Sequence, residues 1–283
     1  MSSEHSDMET DSGKESRSKR SRAGAISLLA LVVAVGSLAF SLFQWNLNQA
    51  NQGEAESIQE QTELTQEVAR ESDLFEGPED LKALIDTVQA STVTIFCKES
   101  QGSGWVLDIG LSDDVTDESD IALNDEFPYE VITNHHVIED CTDTPRKVEA
   151  QAGAEVFDAY LYSWDEESDL ALVAISQNVP ALEISDQPLP GWWAMAVGTP
   201  YGLEGSVSVG NVMNTDLNEV ISTAPLNSGN SGGPLVNAFG EVMGTNTYVF
   251  VGDDAQDWNV AVGIPALCEV LLDCAGDDVF AWE

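Results

Sequence analysis

The sequence predicts an all-β body of two six-stranded antiparallel β-barrels, preceded by a single transmembrane helix and a polar stalk. Three observations predict it: an uncharged apolar run near the amino terminus, a Gln- and Glu-rich stretch behind it, and short strand-like runs that divide six and six around a proline-bounded connector. Many short strands in even spacing with turn residues between them are the pattern of small closed barrels.

The elements follow in order. Residues 1–22 form a basic tail: Lys14, Arg17, Lys19, Arg20 and Arg22 are five of the ten basic residues in the chain. Ala23–Phe43 then runs for 21 residues without a charge. At ~1.5 Å per residue a helix of that length spans about 31 Å, close to the ~30 Å hydrocarbon core of a bilayer. It exceeds the ~7–15 apolar residues of a signal-peptide core, and no small-x-small cleavage site follows. An uncleaved signal anchor is expected. The basic tail holds the amino terminus in the cytoplasm, by the positive-inside rule, and the body is exported from a single-pass attachment to the cell membrane.

Residues 44–78 are rich in Gln, Glu, Asn and Ser and end at Pro78. Ile58, Leu64, Val68 and Phe75 are too sparse for a heptad seam, so a partly helical stalk is expected. Leu81, Leu84, Ile85 and Val88 then predict a short amphipathic helix at the head of the first barrel domain, 79–183. Its strands are expected at Thr92–Cys97, Gly104–Asp108, Tyr129–Thr133, Val148–Gln151, Val156–Ser163 and Leu170–Ile175. Pro180 to Pro190 separates them from the second domain, 184–275, with strands at Trp193–Val197, Val207–Asn214, Val220–Thr223, Gly233–Val236, Val242–Val249 and Asn259–Ile264. Residues 276–283 are left as a tail.

Charge bounds the partners. The formal net charge is −40, and the 230 residues after Gly53 hold 45 acids against five bases. Such a body repels nucleic-acid phosphates and anionic membrane surfaces, so no nucleic acid is expected as partner. The acid-rich segment Asp113–Asp120 lacks the spaced ligands and the glycine of a calcium loop and reads as a solvated surface loop. No Cys-x-x-Cys occurs; neither a metal nor a cofactor is expected.

The chemistry sits in Asn-Ser-Gly-Asn-Ser-Gly-Gly-Pro-Leu at 227–235. Glycines on both sides of Ser231 let the backbone take positive φ and come close to a substrate carbonyl. That geometry exposes a hydroxyl and aims backbone N–H groups at an oxygen that becomes negative during acyl transfer. A neutral hydroxyl needs a base to take its proton and return it, and histidine, with its unperturbed pKa of ~6.5, suits both directions. Of the three histidines, His5 lies in the polar tail, which leaves His135 or His136 in Thr-Asn-His-His-Val at 133–137. A carboxylate must hold the imidazole in one tautomer, and Asp169 lies in Ser-Asp-Leu-Ala-Leu-Val at 168–173.

These three blocks, in the order His, Asp, Ser, resemble the HtrA/Deg branch of the trypsin-like serine proteases, whose histidine block reads Thr-Asn-x-His-Val. Gly-Thr-Pro-Tyr-Gly-Leu at 198–203 and Gly-Glu-Val-Met-Gly-Thr-Asn-Thr at 240–247 agree with it, and the resemblance covers roughly 79–270. It implies His136 as base, Asp169 as orienting acid, Ser231 as nucleophile, and the N–H groups of Gly229 and Ser231 as oxyanion donors, all in the cleft between the barrels. Polypeptide substrates, a serine endopeptidase activity and a homo-oligomer, often a trimer, are implied with it. No room is left for the PDZ domain that many such proteins carry after the second barrel. The competing class is a protease-like module that binds peptides or partners and turns over little.

Digestive trypsins carry an aspartate before the serine, which captures a freshly cut amino terminus; here Asn230 stands in that place and cannot balance a buried ammonium. Activation by propeptide cleavage is therefore not expected. The same arrangement implies a substrate pocket shaped by Leu226 and Val249, with Pro225 where trypsins carry their pocket-base aspartate. A pocket without a carboxylate rejects lysine and arginine and takes small or medium aliphatic residues. Export places the four cysteines in an oxidising space. Cys97 ends the first strand and Cys141 lies five residues after His136, so a bridge between them would brace the loop of the base, as trypsin-like enzymes often brace theirs. Cys268 and Cys274 could close a small loop.

Overall fold

The computed structural model describes residues 13–107, 127–143, 146–216, 218–250 and 258–271, with side chains from Val33 onward except at 50–51 and 53–57. His5, the acidic segment Asp113–Asp120, Cys274 and the 276–283 tail lie outside the described residues. The chain divides into two compact units, Met1–Val68 and Ala69–Glu283.

Helix α1 runs unbroken from Gly13 to Glu76, 64 residues. The expectation of a partly helical stalk is corrected here: 44–76 is helical throughout. The segment after Gly53 holds Glu, Gln, Ala and Leu, all strong helix formers, with no further Gly or Pro before Gly77. Gly77 then stops the helix at φ 96°, its N–H bonded to Asp73 O at 3.0 Å, and Pro78 bars continuation. Among the described residues no helix is long and apolar enough to cross a membrane. Residues 23–32 of the expected span are among those whose side chains are not described.

In the second unit α2 (Leu81–Ala90) starts on Asp80, whose carboxylate accepts the Ala83 N–H at 3.0 Å. Leu84 and Val88, one turn apart, are its buried face. The strands are β1 (Thr92–Cys97), β2 (Ser100–Leu107), β3 (Tyr129–Thr133), β4 (Lys147–Ala152), β5 (Glu155–Asp165) and β6 (Leu170–Ile175), then β7 (Trp193–Gly198), β8 (Ser206–Thr215), β9 (Glu219–Ser222), β10 (Pro234–Val236), β11 (Val242–Phe250) and β12 (Trp258–Gly263). They close two barrels in the orders β1-β2-β3-β6-β5-β4 and β10-β11-β12-β9-β8-β7, every ladder antiparallel. The short helices α3 (His135–Ile138) and α4 (Ile264–Val270) follow β3 and β12.

The expected strands all form, with shifted ends. The largest shift is in β2, which begins at Ser100 rather than Gly104. Gly102, outside the expected strand, and Gly104, its expected first residue, both serve close packing. A Cβ on Gly102 would lie 2.5 Å from Val137 Cγ2, and one on Gly104 would lie 2.5 Å from Val131 Cγ1. The first barrel is filled by Val93, Ile95, Val131, Leu161, Val173 and Ile175, the second by Ala194, Val212, Leu235 and Met243. A third cluster joins Trp105, Ile132 and Leu172 of the first barrel to Met195, Val236 and Val242 of the second. This shared core fixes the seam on which the site is built, each fully buried aliphatic side chain contributing ~1.5–3 kcal/mol. The connector is stitched to both barrels: Leu182 N donates to Val106 O and Ser185 N to Val242 O, each at 2.9 Å.

One carboxyl sits poorly in this frame. Glu130 on β3 is pushed up from 4.5 to about 7 by burial. Between those values the native chain holds a proton that the unfolded chain has lost, so stability contributed by this group is complete below pH 4.5 and falls as pH rises through 7. Glu130→Gln should raise stability at pH 8 on the order of 1–2 kcal/mol, discounted for partial exposure, and leave it little changed at pH 4.5. Thermal midpoints of the two proteins that keep a constant difference across this range would contradict it.

Candidate active site

Asp169, at the turn into β6, adopts φ 53°, a left-handed conformation that non-glycine residues enter at a cost and that Asp tolerates better than most. The turn lets one residue hold the start of α3 at four points. Its carbonyl accepts the Asn134 Nδ2–H at 2.8 Å and the His135 N–H at 3.2 Å. Its carboxylate accepts the His136 N–H on Oδ1 at 2.9 Å, and Oδ2 lies 2.7 Å from His136 Nδ1. A carboxylate only accepts, so Nδ1 carries the proton and Nε2 keeps a free lone pair. The His136 side chain is 46% exposed and that of Asp169 27%, so the ring reaches solvent from an anchored base. His135 is buried, and among the described residues its ring bonds neither Asp169 nor Ser231.

Ser231 lies across the seam in the second barrel, between β9 and β10. Its Oγ donates to Thr247 O at 3.0 Å, and among the described residues no hydrogen bond joins it to His136. The loop is clamped at the preceding residues. Asn230 N donates to Asn227 O at 2.9 Å, and Tyr201 N to Ser228 O at 3.1 Å. Gly229 stands at φ 103°, and a Cβ there would lie 2.4 Å from Thr199 O, so only glycine fits. At Gly232 a Cβ would lie 2.1 Å from Ser103 O and 2.3 Å from Thr133 Oγ1, which shows how tightly the serine turn is pressed on the histidine block. The N–H groups of Gly229 and Ser231 have no acceptor among the described residues.

Three residues that the sequence reading passed over complete the arrangement. Asn134 and Thr247 tie the barrels together, Asn134 Nδ2 donating to Thr247 Oγ1 at 3.1 Å. Asn259, buried in β12, accepts the Leu226 N–H at 2.8 Å and stands opposite Val249 in the ladder. Asn134 and Thr247 lay inside the quoted motifs without a role; Asn259 carried no signal. Two of the expected pocket residues, Leu226 and Val249, adjoin Asn259 and are half-buried, while Pro225 is exposed and its carbonyl accepts the Ser208 hydroxyl at 2.7 Å. Cys97 and Cys141 are bridged, with Cα atoms 5.9 Å apart. Cys268 is disulfide-bonded as well, and its expected partner Cys274 lies outside the described residues.

An imidazole oriented by a carboxylate, and a serine in a turn whose Gly229 and Ser231 N–H groups are open, are parts that acyl-transfer hydrolases use. The family model described as "Trypsin-like peptidase domain" matches residues 102–244, and the chain belongs to the trypsin-like peptidases. A protein of Chlamydia pneumoniae named "Probable periplasmic serine endoprotease DegP-like" is 36% identical over 149 residues, 48% of this chain and 30% of that protein. Serine protease HTRA1 of Xenopus laevis is 37% identical over 134 residues, 41% of this chain and 28% of that one. The crystal structure of the serine endoprotease from Yersinia pestis superposes with a TM-score of 0.55 at 25% identity, covering 68% of this chain and 65% of that one. The matched part of this chain spans about a third of the length of its curated relatives, 30% and 28% for the two named.

Proposed function

We propose that the chain is a membrane-tethered, extracytoplasmic serine endopeptidase that cleaves polypeptides through Ser231, His136 and Asp169. The observation that carries this reading is the double grip of the Asp169 carboxylate on His136, at 2.9 and 2.7 Å, facing a serine turn whose N–H groups are open. In the reaction the Ser231 hydroxyl turns from Thr247 O to His136 Nε2, which takes its proton as Oγ attacks the scissile carbonyl. Apo sites often make this bond only once substrate is present. The resulting oxyanion is received by the N–H groups of Gly229 and Ser231. His136 returns the proton to the leaving amine, and water, deprotonated the same way, releases the acyl group.

Substrate is aligned along β11. β10 pairs with it only up to Thr245, and residues 248–250 pair on the β12 side alone, which leaves an open strand edge beside Ser231. Leu226, Val249 and Pro225 shape the pocket for the residue before the cut. Both ends of the Asn259 amide are engaged, by Leu226 N and by Ser222 O, and none of Leu226, Val249, Pro225 and Asn259 carries a charge with which to hold a cation. The tether is assigned to Ala23–Phe43; Val33, Val35, Leu38, Phe40, Leu42 and Phe43, its described large apolar side chains, are all uncovered. Assembly into a homo-oligomer, a trimer by resemblance, and a Cys268–Cys274 bridge belong to the same reading.

The resting bond from Ser231 to Thr247 is the one observation that favours the second reading, a peptide-binding module of little turnover. A fluorophosphonate probe applied to the full chain separates the two. Covalent labelling that Ser231→Ala abolishes is expected, with library cleavage after Val, Ala or Leu. An unlabelled wild-type chain would favour the module, and dominant cuts after Arg or Lys would overturn the pocket.

A further inference from the structure

We propose that Ser103 is a positioning residue that sets the oxyanion loop in its open shape, an inference that rests on the serine-protease reading above. Something must hold this loop. Asn230 replaces the aspartate that trypsins use, and although it is buried its side chain makes no hydrogen bond among the described residues. The holding groups come instead from the first barrel. Ser103, in β2 and fully buried, donates its hydroxyl to Gly229 O at 2.7 Å and accepts the Thr199 N–H on the same oxygen at 2.9 Å. Its backbone N–H donates to Ser231 O at 2.8 Å. One residue thus grips the tripeptide Gly229–Ser231 at its first and third carbonyls, while Asn227 takes the N–H of Asn230 between them.

The two N–H groups left over are those of Gly229 and Ser231. Gly229 has no Cβ to resist rotation, so its orientation depends on what holds its carbonyl. Ser103 is itself seated: its carbonyl accepts the Thr133 hydroxyl at 2.7 Å, next to the histidine block. The same strand residue therefore registers the oxyanion donors of the second barrel against the base of the first. Removing the hydroxyl takes the short donor from Gly229 O and the short acceptor from the Thr199 N–H, and leaves these two groups only their long mutual bond of 3.4 Å, which the loop must turn to improve.

The test uses the full chain. Ser103→Ala should lower kcat about 10–100-fold with KM within about twofold, since a misaimed donor approaches the loss seen when one is deleted. Affinity for a peptide boronic acid, whose tetrahedral adduct places an oxygen in the hole, should fall in parallel. Peptide affinity measured on a Ser231→Ala background should not change. Thr94→Val is the control: it breaks the buried Thr94–Thr199 hydroxyl pair on the same seam, 2.7 Å apart, without touching Gly229. It should lower the thermal midpoint and spare kcat. Equal kcat losses in the two variants, or none in Ser103→Ala, overturn the proposal. Should the alanine variant not fold, Ser103→Cys keeps a weak donor and must fall between wild type and a tenfold loss; unaltered kcat and boronate affinity there are likewise fatal to it. A wild-type chain that no fluorophosphonate labels removes the protease reading itself, whereas wild type and Ser103→Ala labelled at one rate removes only the role of Ser103.

Discussion

Asp169→Asn is expected to fold and to lose about 10⁴-fold in kcat, ~5.5 kcal/mol of barrier. The geometry dictates which way the amide must sit. Oδ1 of Asp169 receives the His136 backbone N–H at 2.9 Å, so in the variant that position must be filled by the amide oxygen. The amide nitrogen then falls 2.7 Å from His136 Nδ1 and donates to it. His136 is forced to carry its own proton on Nε2, where it has no means of taking one from Ser231. Asparagine tolerates the left-handed φ of 53° as aspartate does, so the fold has no cause to change. The measurement is steady-state peptidase activity at neutral pH with a circular-dichroism control. A loss below about tenfold in a folded variant would show that Asp169 does not orient the base.

The sequence made the barrels legible because their strands are short and their apolar runs are interrupted by turn residues. Leu170–Ile175 is buried at every position and was readable end to end. β2 was readable only from Gly104 onward: Ser100–Ser103 is polar and holds Gly102, and only the approach of Val137 explains why a strand needs a glycine there. α1 was under-read for the opposite reason. Its polar half has no repeating apolar stripe, so periodicity is silent, while propensity summed over Gln, Glu and Ala favours helix until Gly77 ends it.

At the site, motif order carried Ser231, His136 and Asp169, since nucleophile, base and acid are rare residue types in fixed blocks. The residues that hold them are different. Ser103, Asn134 and Asn259 are common polar residues whose work depends on burial and on contacts across 30 or more positions, such as Ser103 to Gly229 over 126 and Leu226 to Asn259 over 33. No local pattern encodes such pairs. Glu130 shows the same limit: nothing around it in sequence announces a carboxyl pushed up to about 7 by burial.

Replacing Cys97 and Cys141 together by alanine is expected to cost about 4 kcal/mol, from the loop-closure entropy of a chain with its ends 44 residues apart. The two halves of that bridge are not equivalent in the fold. Cys97 ends β1, in the wall of the first barrel, whereas Cys141 closes the short turn Glu139–Cys141 that follows α3. The bridge therefore fastens the helix bearing His136 to the barrel, behind Val137 and Ile138, which are buried in the same cluster. For a body of about 200 residues, 4 kcal/mol lowers the thermal midpoint by roughly 8–16 °C. Catalysis well below the new midpoint should suffer less than stability, because the four bonds from Asp169 still seat Asn134, His135 and His136. The double-alanine variant avoids a free thiol, and calorimetry with activity at 15 °C reads both quantities. A midpoint within about 3 °C of wild type would mean that the strands β1 to β4 already restrict the unfolded loop and the bridge adds little. A thousandfold loss of kcat in the cold would mean instead that the bridge, and not Asp169, sets the position of the base.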